Sequence, residues 1–255
     1  MFRIFIFETA VVIIYMTAWF LVALLWHRND VADVAWGFGF LLVAVTSMLL
    51  HGVSARPLLI TILVAVWGIR LSLYVHFRNR NKPEDFRYRK WREEWGSNFY
   101  IRSYLQVFIL QSILLVLIST PVIYVSSVQN PPLGYTDVVG ALVWMIGFFF
   151  ESVGDYQLRR FMRDPMNKGR IMTSGLWRFT RHPNYFGEVA MWWGIFLIAL
   201  SVPGGWWTII GPATITFLIL KVSGIPMLEA KYQGNPEFAA YQRRTSSFFP
   251  RPPRR

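Results

Sequence analysis

Seven long apolar runs constrain what this chain of 255 residues can fold into. About 20 consecutive apolar residues cross a bilayer as an α-helix. A soluble protein with one core would not need so many such runs, and 54% of the residues are hydrophobic. The sequence therefore predicts an all-α, polytopic membrane bundle. The predicted spans are residues 4–26, 32–50, 57–77, 104–128, 136–158, 185–202 and 205–227.

No long linker, tandem repeat or low-complexity tract divides the chain, so residues 1–255 are predicted to form one membrane domain. The first run, Ile4 to Trp26, is too long for the apolar region of a signal peptide. It also lacks a small-residue cleavage site, so we expect it to be retained as the first span.

The net charge of +12 is explained by the predicted loops. Of the 26 basic residues, all but Arg3, Arg56, Arg70 and Lys221 lie on one side of the spans. The positive-inside rule makes that side cytoplasmic, which places the N-terminus outside and the C-terminus inside. Membrane topology accounts for the charge, so no nucleic-acid partner is expected. Cysteine is absent, which excludes disulfides and thiolate metal sites.

A polar segment at residues 175–188 runs directly into the apolar residues 189–202, at a predicted membrane boundary. Desolvating polar groups there is costly unless each finds a partner, and a ligand with phosphates, ribose or a carboxylate would supply one. Pro183 can begin a helix at Asn184, whose exposed amides favour an anion. No second histidine stands at ligand spacing from His182, so no metal is expected. The crowded side chains are Arg181, His182, Asn184, Tyr185 and Glu188.

Two four-residue spacings provide further candidates. Glu151 and Asp155 project from one helix face near the end of the fifth span, where they could accept hydrogen bonds from ribose hydroxyls or pair with an arginine. Arg70, Tyr74 and Arg78 share one face of the third span. That basic and aromatic stripe suits a phosphate-bearing ligand, although Arg70 could also extend toward the membrane surface.

Several other positions allow two interpretations. Asp33 is either a charge at a helix start or a site residue. Arg87 and Tyr88 belong either to an interfacial helix or to a lid over a ligand. The basic residues that follow the fifth span, Arg159 and Arg163 among them, suit phosphate. The aromatic tail, residues 241–250, is predicted to fold back over the cytoplasmic face.

These motifs resemble the C-terminal domain of the steroid 5-alpha-reductase-like membrane proteins, and most closely a bacterial branch described as a domain of unknown function. The resemblance covers nearly the whole chain, and sterol C14-reductases share its Arg-His-Pro-Asn-Tyr run. It implies a multi-pass protein of the bacterial inner membrane that binds NADPH from the cytoplasm. The motifs that carry the resemblance are Asp33-Val34-Ala35-Trp36-Gly37, Gly175-Leu176-Trp177, Arg181 to Glu188, Trp192-Trp193-Gly194 and Ser223-Gly224-Ile225-Pro226.

By this resemblance, about residues 1–128 form the substrate side and about 136–255 the cofactor-binding region. The departures concern the substrate: Gly39 and Phe40 stand where steroid reductases hold a ketone with Gln and Glu, and Trp67 stands where they have tyrosine. A 3-keto-steroid is therefore not the expected substrate. The family's cofactor contacts match Arg70, Glu151, Asp155, Asn184, Glu188 and Tyr232.

The implied reaction is hydride transfer from NADPH to an activated carbon–carbon double bond of a steroid-, isoprenoid- or lipid-like molecule that enters from the bilayer. The reaction also needs a proton donor. The candidates are Tyr185, Tyr74 and Tyr88, with Asp33 as an alternative acid, and tyrosine is protonated at neutral pH.

Two alternatives remain open. Isoprenylcysteine carboxyl methyltransferases, which use S-adenosylmethionine, share Arg181-His182-Pro183, Tyr185, Gly187 and later residues that match Glu229 and Tyr241. The chain could instead be a non-catalytic membrane protein that binds lipids. The sequence leaves its oligomeric state open.

Overall fold

The computed structural model describes residues 2–254, and within that range it contains α-helices but no β-strand. Long apolar segments form the membrane-length helices, and short polar helices connect them. The helices are α1 Phe2–Trp26, α2 Val31–His51, α3 Ala55–Asn79, α4 Phe86–Trp95, α5 Phe99–Ser103, α6 Leu110–Ile118, α7 Thr120–Ser127, α8 Tyr135–Arg163, α9 Pro183–Ala199, α10 Ile210–Phe217, α11 Ile225–Ala230 and α12 Pro236–Arg244.

Six helical segments of the described chain are long and apolar enough to cross a membrane. This confirms the all-α membrane class. The predicted span at residues 185–202 corresponds to α9, which has 17 residues. That length is at the lower limit for a spanning helix, so the predicted count of seven stays a prediction, as does the orientation of the termini. The six segments are Phe2–Trp26, Val31–His51, Ala55–Asn79, Phe86–Ile118, Tyr135–Arg163 and Gly205–Ala230.

The chain divides into two compact units. The first unit contains residues 2–134 and 199–211, and α2 lies between α1 and α3 in it. Polar side chains also connect the packed helices. The fully buried Glu8 of α1 accepts hydrogen bonds from Thr46 and Ser47 of α2, each at 2.8 Å. Arg56 is also buried and donates to the carbonyls of Pro131 and Pro132 at 3.0 and 3.1 Å.

The fourth predicted span is interrupted. Residues 104–109 form a π-helical turn between α5 and α6, and Ser119 separates α6 from α7. Pro121 occupies the first turn of α7, where a missing N–H breaks no intrahelical bond. The segment therefore breaks into two helices just before this proline.

The second unit contains residues 135–198 and 212–254. Its central feature is a close crossing of α8 and α9 through facing glycines. A Cβ atom added at Gly147 would lie 2.6 Å from the Gly187 carbonyl oxygen, and one added at Gly194 would lie 2.6 Å from that of Gly140. Small residues let helix backbones approach in this way. The crossing brings the polar end of α8 against the start of α9.

The chain after α12 returns to the segment that precedes α9. The Arg181 amide donates to the Ser246 carbonyl at 2.8 Å, and the Arg251 amide donates to the Phe179 carbonyl at 2.9 Å. Thr180 Oγ1 donates to the Phe248 carbonyl at 2.8 Å. The predicted folding back of the tail is confirmed, and its contacts fix residues 179–181, just before α9; that the tail covers the cytoplasmic face stays a prediction.

Candidate functional site in the second unit

The glycine crossing places the two predicted acids of α8 beside the first turn of α9. Asn184 Nδ2 donates to Asp155 Oδ1 at 3.2 Å. Glu151 follows the same face one turn earlier, and its Cβ lies 2.8 Å from the position a Gly187 Cβ would take. Glu151 and Asp155 are 3% and 5% exposed. Buried carboxylates need hydrogen-bond donors, and Asn184 supplies one to Asp155.

A second cluster gathers around Glu229 of α11. Arg181 binds this carboxylate with two nitrogens, at 2.9 Å from Nε and 3.2 Å from Nη2. His182 Nε2 lies 2.9 Å from Glu229 Oε1, and Gln242 Nε2 donates to Oε2 at 2.8 Å. The two-point contact fixes the plane of the guanidinium. Glu229 therefore fixes the side chains of Arg181 and His182, although it lies 47 positions beyond His182 in the sequence.

His182 links the Glu229 cluster to α9, because its ring stacks on the Tyr185 ring with centroids 5.6 Å apart. Tyr241 of α12 anchors the other side, because its phenol donates to the Trp177 carbonyl. Burial raises the pKa of Tyr241 above its ordinary value, so the phenol stays protonated as a donor at neutral pH. Tyr241 therefore has a structural role in the second unit.

A cavity of about 310 Å³ opens next to the Glu229 cluster. Tyr232 lines it and stacks on Phe238, with ring centroids 4.8 Å apart. Glu229 and Gln242 supply polar lining. The volume is at the lower end of the range for small-molecule sites. Arg159 and Arg163 are exposed on the last two turns of α8, and the structure gives them no contact with this cavity.

Of the remaining predicted residues, Glu188 lies on α9 in the second unit, and the others belong to the first unit. Asp33 accepts hydrogen bonds from Arg87 Nη2 at 2.7 Å and from the Tyr88 hydroxyl at 2.8 Å. Both donors are on α4, so a helix is present here, while its position at the membrane interface and its alternative role as a lid stay predictions. Tyr88 is only 2% exposed. The contact ties α4 to the first turn of α2.

The stripe on α3 also forms a local group in the first unit. The Arg70 guanidinium carbon lies 6.0 Å from the Tyr74 ring centroid, and that of Arg78 lies 5.8 Å from it. These separations are within the range of cation–π attraction. The three side chains therefore do share one helix face, as their spacing predicts.

We expect Tyr88→Phe to lower the unfolding free energy by about 1–2 kcal/mol, because it removes a buried hydrogen bond to a charged acceptor. For a protein of this size the thermal midpoint in detergent should fall by about 3–6 °C. Tyr100→Phe is the matched control, since Tyr100 is 54% exposed and its hydroxyl has no partner among the described residues. Equal midpoints for the two variants would contradict the assigned contact.

Residues 19–245 match the family described as "Protein of unknown function (DUF1295)". The chain belongs to this family. The predicted resemblance to steroid 5-alpha-reductase-like membrane proteins is confirmed by this match. No solved structure gives a significant match.

Three relatives are similar to parts of the chain. An uncharacterized protein of Schizosaccharomyces pombe is 26% identical over 78% of this chain. The 3-oxo-5-alpha-steroid 4-dehydrogenase 1 of Bos taurus is 34% identical over 32% of it, and a probable O-methyltransferase of Ustilaginoidea virens is 39% identical over 18% of it. The matches cover 64%, 30% and 16% of the relatives' own lengths, all less than two thirds.

The structure therefore brings together Asp155 with Asn184, and Arg181 with His182 and Tyr185, within the second unit. The residue that sequence reasoning underrated is Glu229, which entered only through the methyltransferase alternative. An acid at the end of an apolar run, close to a basic tail, was the available signal. Its partners are distant in sequence, so spacing alone could not identify them.

Proposed function

We propose that this protein is an NADPH-dependent membrane reductase that transfers hydride to an activated carbon–carbon double bond of an apolar substrate. The observation that carries the proposal is the hydrogen bond between Asp155 and Asn184, two positions that match cofactor contacts of the reductase family. The similarity to a steroid 4-dehydrogenase supports the same class of reaction.

The residues present suit a dinucleotide. The buried carboxylates of Glu151 and Asp155 are acceptors for ribose hydroxyls, and Asn184 can both donate and accept. Arg159 and Arg163 offer exposed positive charge for phosphates. The role of Tyr232 would be to present an aromatic face in the 310 Å³ cavity. Bound NADPH would supply the hydride, and the protein would orient the reacting groups and exclude water.

Other predicted contacts in the second unit would add to this site. Arg181 and His182 would supply positive charge and a hydrogen-bond donor at the start of α9, where Glu229 fixes both side chains. Glu188 lies one turn beyond Asn184 on the same face of α9. The phosphate-binding role predicted for Arg70 and Arg78, on α3 of the first unit, is kept as a separate proposal.

We place the proton donor at Tyr185, because its side chain is in the second unit and is partly exposed. Tyr74, on α3 of the first unit, stays a candidate from the sequence. Tyr88 fits this role less well, since its hydroxyl is buried and already donates to Asp33, which is itself paired with Arg87. Replacing the donor by phenylalanine should lower turnover without weakening cofactor binding, because the phenol acts only on the reacting substrate.

The substrate we propose is apolar and is not held by a buried carboxylate at the steroid position. Phe40 and Trp67, at two of the departures from the family pattern, are each 1% exposed and their ring centroids lie 5.3 Å apart. A Cβ atom added at Gly39 would lie 2.8 Å from a Leu115 methyl carbon. These positions form packed apolar core, which favours an isoprenoid- or lipid-like enone over a 3-keto-steroid.

Cofactor binding tests the proposal directly. A ligand that binds only the folded state raises the thermal midpoint, so the detergent-purified protein is melted with NADPH, NADH and S-adenosylmethionine in parallel. We expect stabilisation by NADPH. Asn184→Ala and Asp155→Asn should weaken it by about 10- to 100-fold in dissociation constant, the effect of losing one hydrogen bond to a charged group. The exposed Asn98 provides the matched control Asn98→Ala.

The second candidate function is S-adenosylmethionine-dependent methyl transfer. It is supported by the contact of Arg181 and His182 with Glu229, three positions that fit the methyltransferase pattern. The similarity to a probable O-methyltransferase points the same way. Stabilisation by S-adenosylmethionine and not by NADPH would replace the reductase proposal with this one. A folded protein that responds to neither cofactor would contradict both.

A further inference from the structure

A cavity in the first unit is lined by none of the residues proposed above to hold a cofactor. It has a volume of about 430 Å³ and opens between α1, α2 and α3. Its apolar wall comes from Trp19 and Trp26 of α1, Val34 and Phe38 of α2, and Leu73 of α3. This volume is in the range of small-ligand sites.

Polar residues occupy one end of this cavity. Arg28, Asp30, His76, Asn79 and Arg80 line it there. That end coincides with the end of α1 at Trp26, the start of α2 at Val31 and the end of α3 at Asn79. Charged groups at the ends of apolar helices mark the boundary between hydrocarbon and headgroups. The cavity is therefore apolar at membrane depth and polar at the membrane surface.

The two arginines at the polar end differ in what they contact. Arg28 donates to both carboxylate oxygens of Asp30 and to the carbonyls of Asn79 and Lys82, so its hydrogen bonds are used within the protein. Arg80 is exposed and lies over the Phe77 ring, 5.8 Å from the centroid. Over residues 2–254 its side chain makes no hydrogen bond or ion pair. Arg80 can therefore bind an external anion.

The cavity is separate from the basic stripe of α3. Successive residues of an α-helix are about 100° apart around the axis. Ser72 and His76, which line the cavity, consequently lie on nearly the opposite face of α3 from Tyr74 and Arg78. A molecule in this cavity does not occupy the stripe to which the cofactor proposal assigns phosphate.

We propose that this cavity binds one acyl chain of an anionic membrane phospholipid, with the lipid phosphate at Arg80. The apolar wall would contact the acyl chain of the lipid, and the polar end of the cavity lies where the lipid headgroup would be. Charge complementarity selects an anionic headgroup, because Arg80 is the uncommitted cation beside the cavity. The site does not depend on the proposed reductase activity.

Native mass spectrometry of the full chain, released from detergent after titration with lipid, tests the proposal. The probes are a phosphatidylglycerol and a phosphatidylcholine with identical chains, and inorganic phosphate. We expect one phosphatidylglycerol to be retained with at least fivefold preference over phosphatidylcholine. Arg80→Gln should lower that preference about fivefold, the effect of one arginine at an anionic surface. Arg89→Gln is the control, since Arg89 is exposed on α4 and does not line the cavity.

Filling the cavity separates chain binding from headgroup attraction. Val34→Phe should reduce retention of both lipids, and Ile62→Phe, on an exposed position of α3 outside the cavity, should not. Leu73→Trp at the rim replaces Val34→Phe if that variant does not fold. Equal retention of both lipids by every variant would overturn the proposal. Displacement of the lipid by inorganic phosphate alone would also overturn it, because the site would then be one for a small anion.

Discussion

We expect Gly187→Val to lower the unfolding free energy by about 3 kcal/mol, and the variant to elute as aggregate from detergent purification. A Cβ atom at this position would lie 2.5 Å from the Glu151 amide nitrogen and 2.8 Å from the Glu151 Cβ. Both atoms are fixed to the backbone of α8, so no side-chain rotation can move them away. The helices must separate, and overpacking of this kind costs about 1–3 kcal/mol or more. Thermal melting and size-exclusion chromatography measure the effect.

Gly134→Val is the matched control for this substitution. A Cβ atom there would meet no heavy atom within 4 Å. The variant should melt within about 1 °C of the unchanged protein, since exposed substitutions usually change stability by less than 0.5 kcal/mol. Gly147→Val adds the same strain from α8 and should resemble Gly187→Val. A Gly187→Val protein that is monodisperse and as stable as Gly134→Val would refute the close crossing of α8 and α9.

This crossing explains why the second unit concentrates polar groups where it does. The glycine contacts fix the distance between α8 and α9, and Pro183 starts α9 beside Gly154, so that a Gly154 Cβ would lie 3.1 Å from the Pro183 ring. Asn184 then reaches Asp155. The site thus depends on small residues that have no chemistry of their own. Substitutions that widen the crossing should weaken ligand binding before they unfold the protein.

Local features of the chain could be predicted from sequence because they depend on neighbouring residues. Apolar length predicted the long helices, and Pro183 predicted the start of α9. The four-residue spacing of Arg70, Tyr74 and Arg78 placed them on one face. Each of these inferences needs only helix periodicity and backbone restriction.

Contacts between distant residues could not be predicted in the same way. The link between His182 and Glu229 spans 47 positions, and that between Arg56 and Pro132 spans 76. Their formation depends on how whole helices pack, which no local pattern specifies. The π-helical turn at residues 104–109 was also missed, because its apolar sequence resembles an ordinary helix. Tertiary packing determines both kinds of feature.

The second large effect is expected from removing Glu229, because its carboxylate contacts the side chains of Arg181, His182 and Gln242. Glu229→Ala leaves Arg181 and His182 without their shared carboxylate, and their side chains are 10% and 7% exposed. Removing one partner of a buried pair costs about 3–5 kcal/mol. Because Arg181 also donates to two backbone carbonyls, we expect about 3 kcal/mol here. Thermal melting in detergent gives the comparison with the unchanged protein.

A double-mutant cycle assigns that effect to the contact itself. Arg181→Met alone should be destabilising, and Arg181→Met combined with Glu229→Ala should be more stable than the sum of the single effects by about 1–3 kcal/mol. Glu229→Gln should retain part of the stability, because its amide still offers one acceptor. Glu93→Gln, on the exposed surface of α4, should change nothing and controls for loss of negative charge. Additive effects in the cycle would show that Glu229 stabilises the protein through contacts other than Arg181.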